Sequence, residues 1–130
     1  MYLVVAAGGA FGTAMRYFLS GVIANVFGQT FPWGTLVINV TGSFIIGFFG
    51  TLTGPDGRFL VNAATRQFVM VGICGGYTTF SSFSLQTLNL MNDGEWLYAT
   101  GNVAGSVGLC LLFVWLGATV ATALNQVKGA

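Results

Sequence analysis

The sequence predicts an all-α membrane protein of four transmembrane helices, the third of them broken. Three observations carry that reading. Only seven of the 130 residues are charged, four basic and three acidic, against a hydrophobic fraction of 55%. With a mean hydropathy of +0.81, that is not the composition of a water-soluble domain. Uncharged runs extend from Tyr17 to Pro55, from Gln67 to Asn92 and from Trp96 to Val127, each long enough for at least one span of about 20 residues. Within the second of these, Gly72 to Ser84 reads GICGGYTTFSSFS. Backbone at bilayer depth must satisfy its own N–H and C=O groups, so a glycine- and hydroxyl-rich interruption survives there only where it is buried in protein or lines a polar cavity.

The first span is expected from about Tyr2 to Phe27, with Arg16 as its one charge. Gly28, Pro32 and Trp33 then mark a loop, the tryptophan suited to an interface. A second span is placed near Thr35 to Thr53, ended by the turn-forming cluster Gly54, Pro55, Asp56, Gly57 and Arg58. The third is expected from about Gln67 to Leu90, closed by the loop around Asp93, Gly94 and Glu95. The fourth occupies Trp96 to Leu124. Residues 1–130 are thus read as a single four-span domain.

Met1 to Met15 has no positive side chain, which argues against a signal peptide and for a retained first span. Cys74 and Cys110 both fall inside spans, where they are expected to pack as small residues rather than form a disulfide. Metal binding by side chains has little support with no histidine and two thiols. Orientation is weakly specified. Both termini and the second loop share a side that holds Arg58, Arg66 and Lys128, while the other side has Asp93, Glu95 and, if it snorkels that way, Arg16. The excess of cations leans toward termini inside, by a margin small enough to leave both orientations open.

Glycines recur four apart at Gly8 and Gly12, Gly72 and Gly76, and Gly101 and Gly105, a spacing that lets helix backbones approach closely in lipid. Four helices with so little bulk can hardly enclose a pore alone. At least a homodimer is therefore expected, with the polar interruption near the shared interface.

No span contains histidine, carboxylate or lysine, so neither a nucleophile with its base nor an acid–base pair can be assembled, and an enzyme is not expected. The missing membrane carboxylate also counts against a cationic substrate, since cation carriers place such a group within the membrane. What the spans contain is hydroxyls and amides, among them Asn39, Thr78, Thr79, Ser81, Ser82, Ser84, Asn102 and Ser106, together with Arg16. These groups both donate and accept. One in-span cation and no in-span anion tip the balance toward an anion. Phe80 and Phe83 add ring edges, which are positive and contact an anion without a full counter-charge, and selection without tight trapping suits conduction.

GAFGTAMRY from Gly9, GTLVINVTGSF from Gly34 and GGYTTFSSFS from Gly75 resemble the three signature blocks of the Fluc-type (CrcB) fluoride channels, in order and over nearly the whole chain. The resemblance implies an antiparallel, dual-topology homodimer in the cell (inner) membrane of a bacterium, with two pathways for passive fluoride export. Its partners would be fluoride, a second copy and lipid, with no nucleic acid. By motif position Asn39 would be the pore-facing amide and Phe80 and Phe83 the paired rings. Thr79, Ser81, Ser82 and Ser106 would line or brace the route, and Arg16 would sit near the aqueous vestibule. The resemblance further implies a structural sodium ion at the dimer interface, held by the backbone carbonyls of Gly75 and Thr78.

Duller readings stand beside these. Serine and threonine in membrane helices commonly bond the carbonyl one turn back, and Arg16 is as readily a snorkelling side chain as an ion contact. Asn39 is the strongest single candidate, because a buried amide in hydrocarbon demands a partner. Ser82 stands where threonine is frequent in the family, and Asn102 where many members carry tyrosine, although Asn102, Ser106 and Cys110 share one helical face. A small multidrug exporter and a non-transporting assembly factor are the competing functions.

Overall fold

The protein, a computed structural model describing residues 1–127, is all-helical among those residues. Four helical stretches are long and apolar enough to cross a membrane: Tyr2–Phe27, Trp33–Leu52, Ala63–Asn92 and Trp96–Asn125. The first is α1 and the second α2. The third comprises α3 (Ala63–Gln67), a π-helical segment (Phe68–Cys74), α4 (Gly75–Tyr77) and α5 (Phe80–Asn92), and the last is α6 (Trp96–Asn125). Arg66, expected just outside the third span, lies within α3. Its charge is satisfied locally, by Nη1 donating to Gly50 O at 3.2 Å and to Thr53 Oγ1 at 2.7 Å.

Local chemistry sets the helix ends. α1 stops at Gly28, whose φ of 82° lies in the left-handed region open to glycine and whose N–H bonds Ala24 O. α3 begins with Asn62 Oδ1 accepting from Thr65 N–H at 2.8 Å. α5 closes on Gly94 (φ 78°), with Gly94 N–H bonded to Met91 O and Glu95 N–H to Leu90 O at 2.8 Å, satisfying carbonyls that a helix end otherwise orphans.

Two glycine-cushioned helix pairs make the bundle. α2 lies along α6, where a Cβ on Gly47 would strike Val114 O and one on Gly117 would strike Phe44 O. α1 lies along the π-helical segment: a Cβ on Gly8 would sit 2.5 Å from Phe68 O, and one on Gly12 would meet Ile73 O. In lipid no hydrophobic force drives helices together, so such close backbone approach supplies much of the association. Gly101 and Gly105 behave differently. A Cβ on either would meet nothing within 4 Å, so that face of α6 is unpartnered within one chain.

At one end of the bundle the polar side chains lace helix termini together. Arg58 Nη1 donates to Leu124 O at 3.1 Å, Arg58 N–H to Asn125 Oδ1 at 2.7 Å and Asn125 Nδ2 to Thr51 O at 3.2 Å. Cations thus meet the negative ends of α2 and α6. Lys128, which contributes to the expected charge asymmetry, lies outside the described residues. The opposite end carries Phe31 against Trp33 (4.7 Å between centroids) and Tyr98 edge-on to Phe31 (5.9 Å), an aromatic group of the kind found at membrane–water interfaces.

Candidate functional site

Between α4 and α5 the chain leaves helical dihedrals for two residues, Thr78 (φ −81°, ψ 158°) and Thr79 (φ −151°, ψ 117°). Both are β-branched, a side-chain shape that fits extended backbone. Thr79 then restarts the helix, its Oγ1 accepting from Ser82 N–H at 3.2 Å. The amide of Asn39, on α2, replaces the helical bonds that are lost. Its Oδ1 accepts from Thr79 N–H at 2.8 Å and its Nδ2 donates to Thr79 O at 2.9 Å. That reciprocal pair satisfies the extended residue as a strand neighbour would.

Beside this pair lies a cavity of about 400 Å³, whose lining includes Asn39, Thr78, Thr79, Phe80, Phe83 and Ser106. Gly75 and both cysteines contribute as well, and the two thiols are free. Phe80 and Phe83 stand 5.3 Å apart between centroids, tilted by 48°. They differ in setting, because Phe83 is 8% exposed and Phe80 76%. Phe80 thus presents most of its ring to the outside of the single chain while lining the cavity.

Ser106 reaches the site through a buried hydrogen-bond chain. Its hydroxyl donates to Asn102 Oδ1 at 3.3 Å, Asn102 Nδ2 donates to Thr87 Oγ1 at 3.0 Å, and Thr87 Oγ1 donates to Phe83 O at 2.8 Å. Asn102 is 1% exposed, and with both amide atoms hydrogen-bonded it links α6 through Thr87 to the backbone of Phe83. Thr87 went unnoticed in the sequence. A threonine four residues after Phe83 signals only the common bond one turn back.

Three of the expected site residues do not line the cavity. Ser81 is exposed, 3.4 Å from Thr79 by its hydroxyl. Ser82 takes part through its capped N–H. Arg16 stands on α1, half-buried, with Nε donating to Gly76 O at 3.1 Å. Tyr77, not singled out by sequence, reaches α2 by a 2.8 Å hydrogen bond between its hydroxyl and Thr41 Oγ1.

The carbonyls of Gly75 and Thr78 are the groups that could hold a cation. In a continuous helix Gly75 O would accept from Thr79 N–H and Thr78 O from Ser82 N–H. Those donors go instead to Asn39 Oδ1 and Thr79 Oγ1. Both carbonyls thereby lose the donors a continuous helix would give them.

A sequence model of the family described as "CrcB-like protein, Camphor Resistance (CrcB)" matches residues 3–118. The chain belongs to the CrcB family. Similar proteins include the "Fluoride-specific ion channel FluC" of Opitutus terrae, 62% identical over 130 residues, covering 100% of this chain and 98% of the relative. The protein of the same description from Methylocella silvestris is 60% identical over 129 residues, covering 99% and 98%. That from Rhodospirillum rubrum is 62% identical over 125 residues, covering 96% and 97%. This CrcB protein is a multi-pass membrane protein and not an enzyme.

Proposed function

We propose that this CrcB protein is a fluoride-specific channel that lets the anion run downhill out of the cytoplasm, across the inner membrane of a bacterium. The observation that carries this reading is full-length identity of 60–62% to relatives described as fluoride-specific ion channels. The cavity supports it chemically. Its lining brings together the amide of Asn39, the hydroxyl-bearing Thr78, Thr79 and Ser106 and the rings of Phe80 and Phe83, with no carboxylate among them. An anion there would meet the second N–H of the Asn39 amide, since the first is given to Thr79 O, without a fixed counter-charge strong enough to hold it.

The assembly we propose is an antiparallel homodimer of dual topology, in which the third span is a helix broken at Thr78–Thr79. Its support is the exposed ring of Phe80 beside the cavity and the unpartnered Gly101 and Gly105 face of α6. In that assembly Asn39, Thr79, Phe80, Phe83 and Ser106 belong to the pathway, with Ser81 and Ser82 bracing it. Sodium, held by the Gly75 and Thr78 carbonyls, would supply the positive charge that freed carbonyls at a shared interface call for.

The test is fluoride-electrode recording from proteoliposomes, with chloride as the comparison. Rapid fluoride release without chloride release is expected, and vesicles that retain fluoride as protein-free ones do defeat the proposal. Release of chloride at a similar rate defeats the specificity. Cross-linking of copies tagged at opposite faces tests the arrangement, and one uniform orientation for all copies overturns it.

A further inference from the structure

Arg16 lies near the middle of α1, roughly 20 Å along the helix from its start, on the face that meets the third span. That contact is close. A Cβ on Gly76 would sit 2.7 Å from Gly9 O and 3.0 Å from Thr13 Oγ1. Thr13 and Arg16 are three residues apart, hence neighbours on one helical face, and both address one atom. The Gly76 carbonyl accepts the Arg16 Nε–H at 3.1 Å and the Thr13 hydroxyl at 3.4 Å. In a continuous helix that carbonyl would take the Phe80 N–H, which the extended Thr78–Thr79 pair carries away.

We infer that Arg16 is a positioning residue: its Nε–H caps the Gly76 carbonyl and holds the end of α4 in register with the extended pair. The cap makes a division of labour among the carbonyls of Gly76, Thr78 and Thr79. Gly76 O is tied to α1, Thr79 O is tied to α2 through Asn39, and the carbonyl of Thr78 between them is left free. A cation at that point also faces the negative end of the helical run. The role differs from attracting or contacting the anion, since Arg16 does not line the cavity that holds Asn39, Phe80 and Phe83.

Side-chain geometry separates the two roles. Glutamine places its Nε2 at the same distance along the side chain as arginine Nε, so Arg16→Gln keeps the donor and discards the charge. Arg16→Lys keeps the charge and puts a methylene where the donor was, and Arg16→Met keeps neither. The cap predicts that Arg16→Gln passes fluoride at close to the parent rate, while Arg16→Lys and Arg16→Met fall about tenfold or more, the size expected for one charge-assisted hydrogen bond lost. Amide exchange across Gly75–Ser84 is expected to follow the same order, about tenfold faster in Arg16→Lys and Arg16→Met and parent-like in Arg16→Gln.

Parent-like flux in Arg16→Lys with loss in Arg16→Gln overturns the inference and assigns the residue to its charge. Equal flux in all three, equal loss in all three, or an Arg16→Gln protein that does not fold overturns it too. The flux arm rests on the channel reading and the exchange arm does not. A parent protein that passes no fluoride therefore sinks the channel, while the exchange order still decides the cap.

Discussion

The α2–α6 pair and the neighbourhood of Thr78–Thr79 are both built from small residues in an apolar chain, yet they are held by opposite means. Along α2 and α6, Gly47 and Gly117 bring backbone against backbone, and both helices run without interruption past the contact. Around Thr78–Thr79 the main chain is not self-sufficient. Asn39, Arg16 and Thr13 come from two other helices to complete it. The first region is sealed by shape and the second by hydrogen bonds lent from outside. That contrast explains how one short chain can be tightly packed along one helix pair and polar at another place.

The sharpest way to break the contrast is to fill the sealed region. Gly117→Val sets a branched side chain where even a Cβ would strike Phe44 O, so α2 and α6 must part. Loss of monodisperse protein on size-exclusion chromatography is expected. A protein that elutes unchanged would mean that the pair is not held by backbone contact.

Next in size is removal of the lent amide. Asn39→Leu leaves Thr79 N–H and C=O without partners, at about 1–3 kcal/mol for each unsatisfied group. Fluoride flux should fall at least tenfold while the protein still elutes as the parent does, because Gly47 and Gly117 are untouched. Asn39→Asp keeps the acceptor for Thr79 N–H and should also lose flux, through the missing donor and the like charge. Normal flux in either variant removes Asn39 from the pathway.

A smaller and more selective effect separates the two rings. Phe83→Ile empties buried volume and should lower thermal stability by about 1–2 kcal/mol, whereas Phe80→Ile, at a ring 76% exposed, should leave single-chain stability within about 0.5 kcal/mol. Both should cut flux severely. Flux that is unchanged in both would take the rings out of the route. The smallest effect within one chain is expected for Gly105→Ala, since a Cβ there meets nothing within 4 Å. Chemical cross-linking should nevertheless report weaker pairing of copies, and unchanged pairing would place the interface elsewhere.

Composition and punctuation made the four apolar helices legible, because lipid leaves a chain few options: a run without charge must satisfy its backbone internally, and glycine, proline and acidic clusters end it. The polar interruption could be located as well, since hydroxyls packed beside glycine stand out in hydrocarbon. Asn39 could be singled out by the cost of an amide in hydrocarbon, and the structure finds it half-buried with both amide atoms bonded. Its partner could not, because the residue that closes on it lies 40 positions away. The glycine spacing of four marked Gly8, Gly12, Gly72 and Gly76, which do pack, and equally Gly101 and Gly105, which meet nothing within the chain. The Gly47 and Gly117 contact had no local sign at all. Spacing reports that a helix face is smooth and says nothing of what lies against it.

By itself the sequence determined that this protein lives in lipid, that it crosses as helices and where its polar weak point falls, since these follow from what each stretch of chain can satisfy alone. Tertiary structure alone decided which groups complete Thr78 and Thr79, that residues 68–74 wind as a π-helix against α1, and that Asn102 ties α6 to Phe83. It also decided that Arg16 meets a carbonyl rather than the cavity. Each of these joins groups far apart in the chain, and a hydrogen bond between distant residues exists only once packing has brought donor and acceptor within about 3 Å.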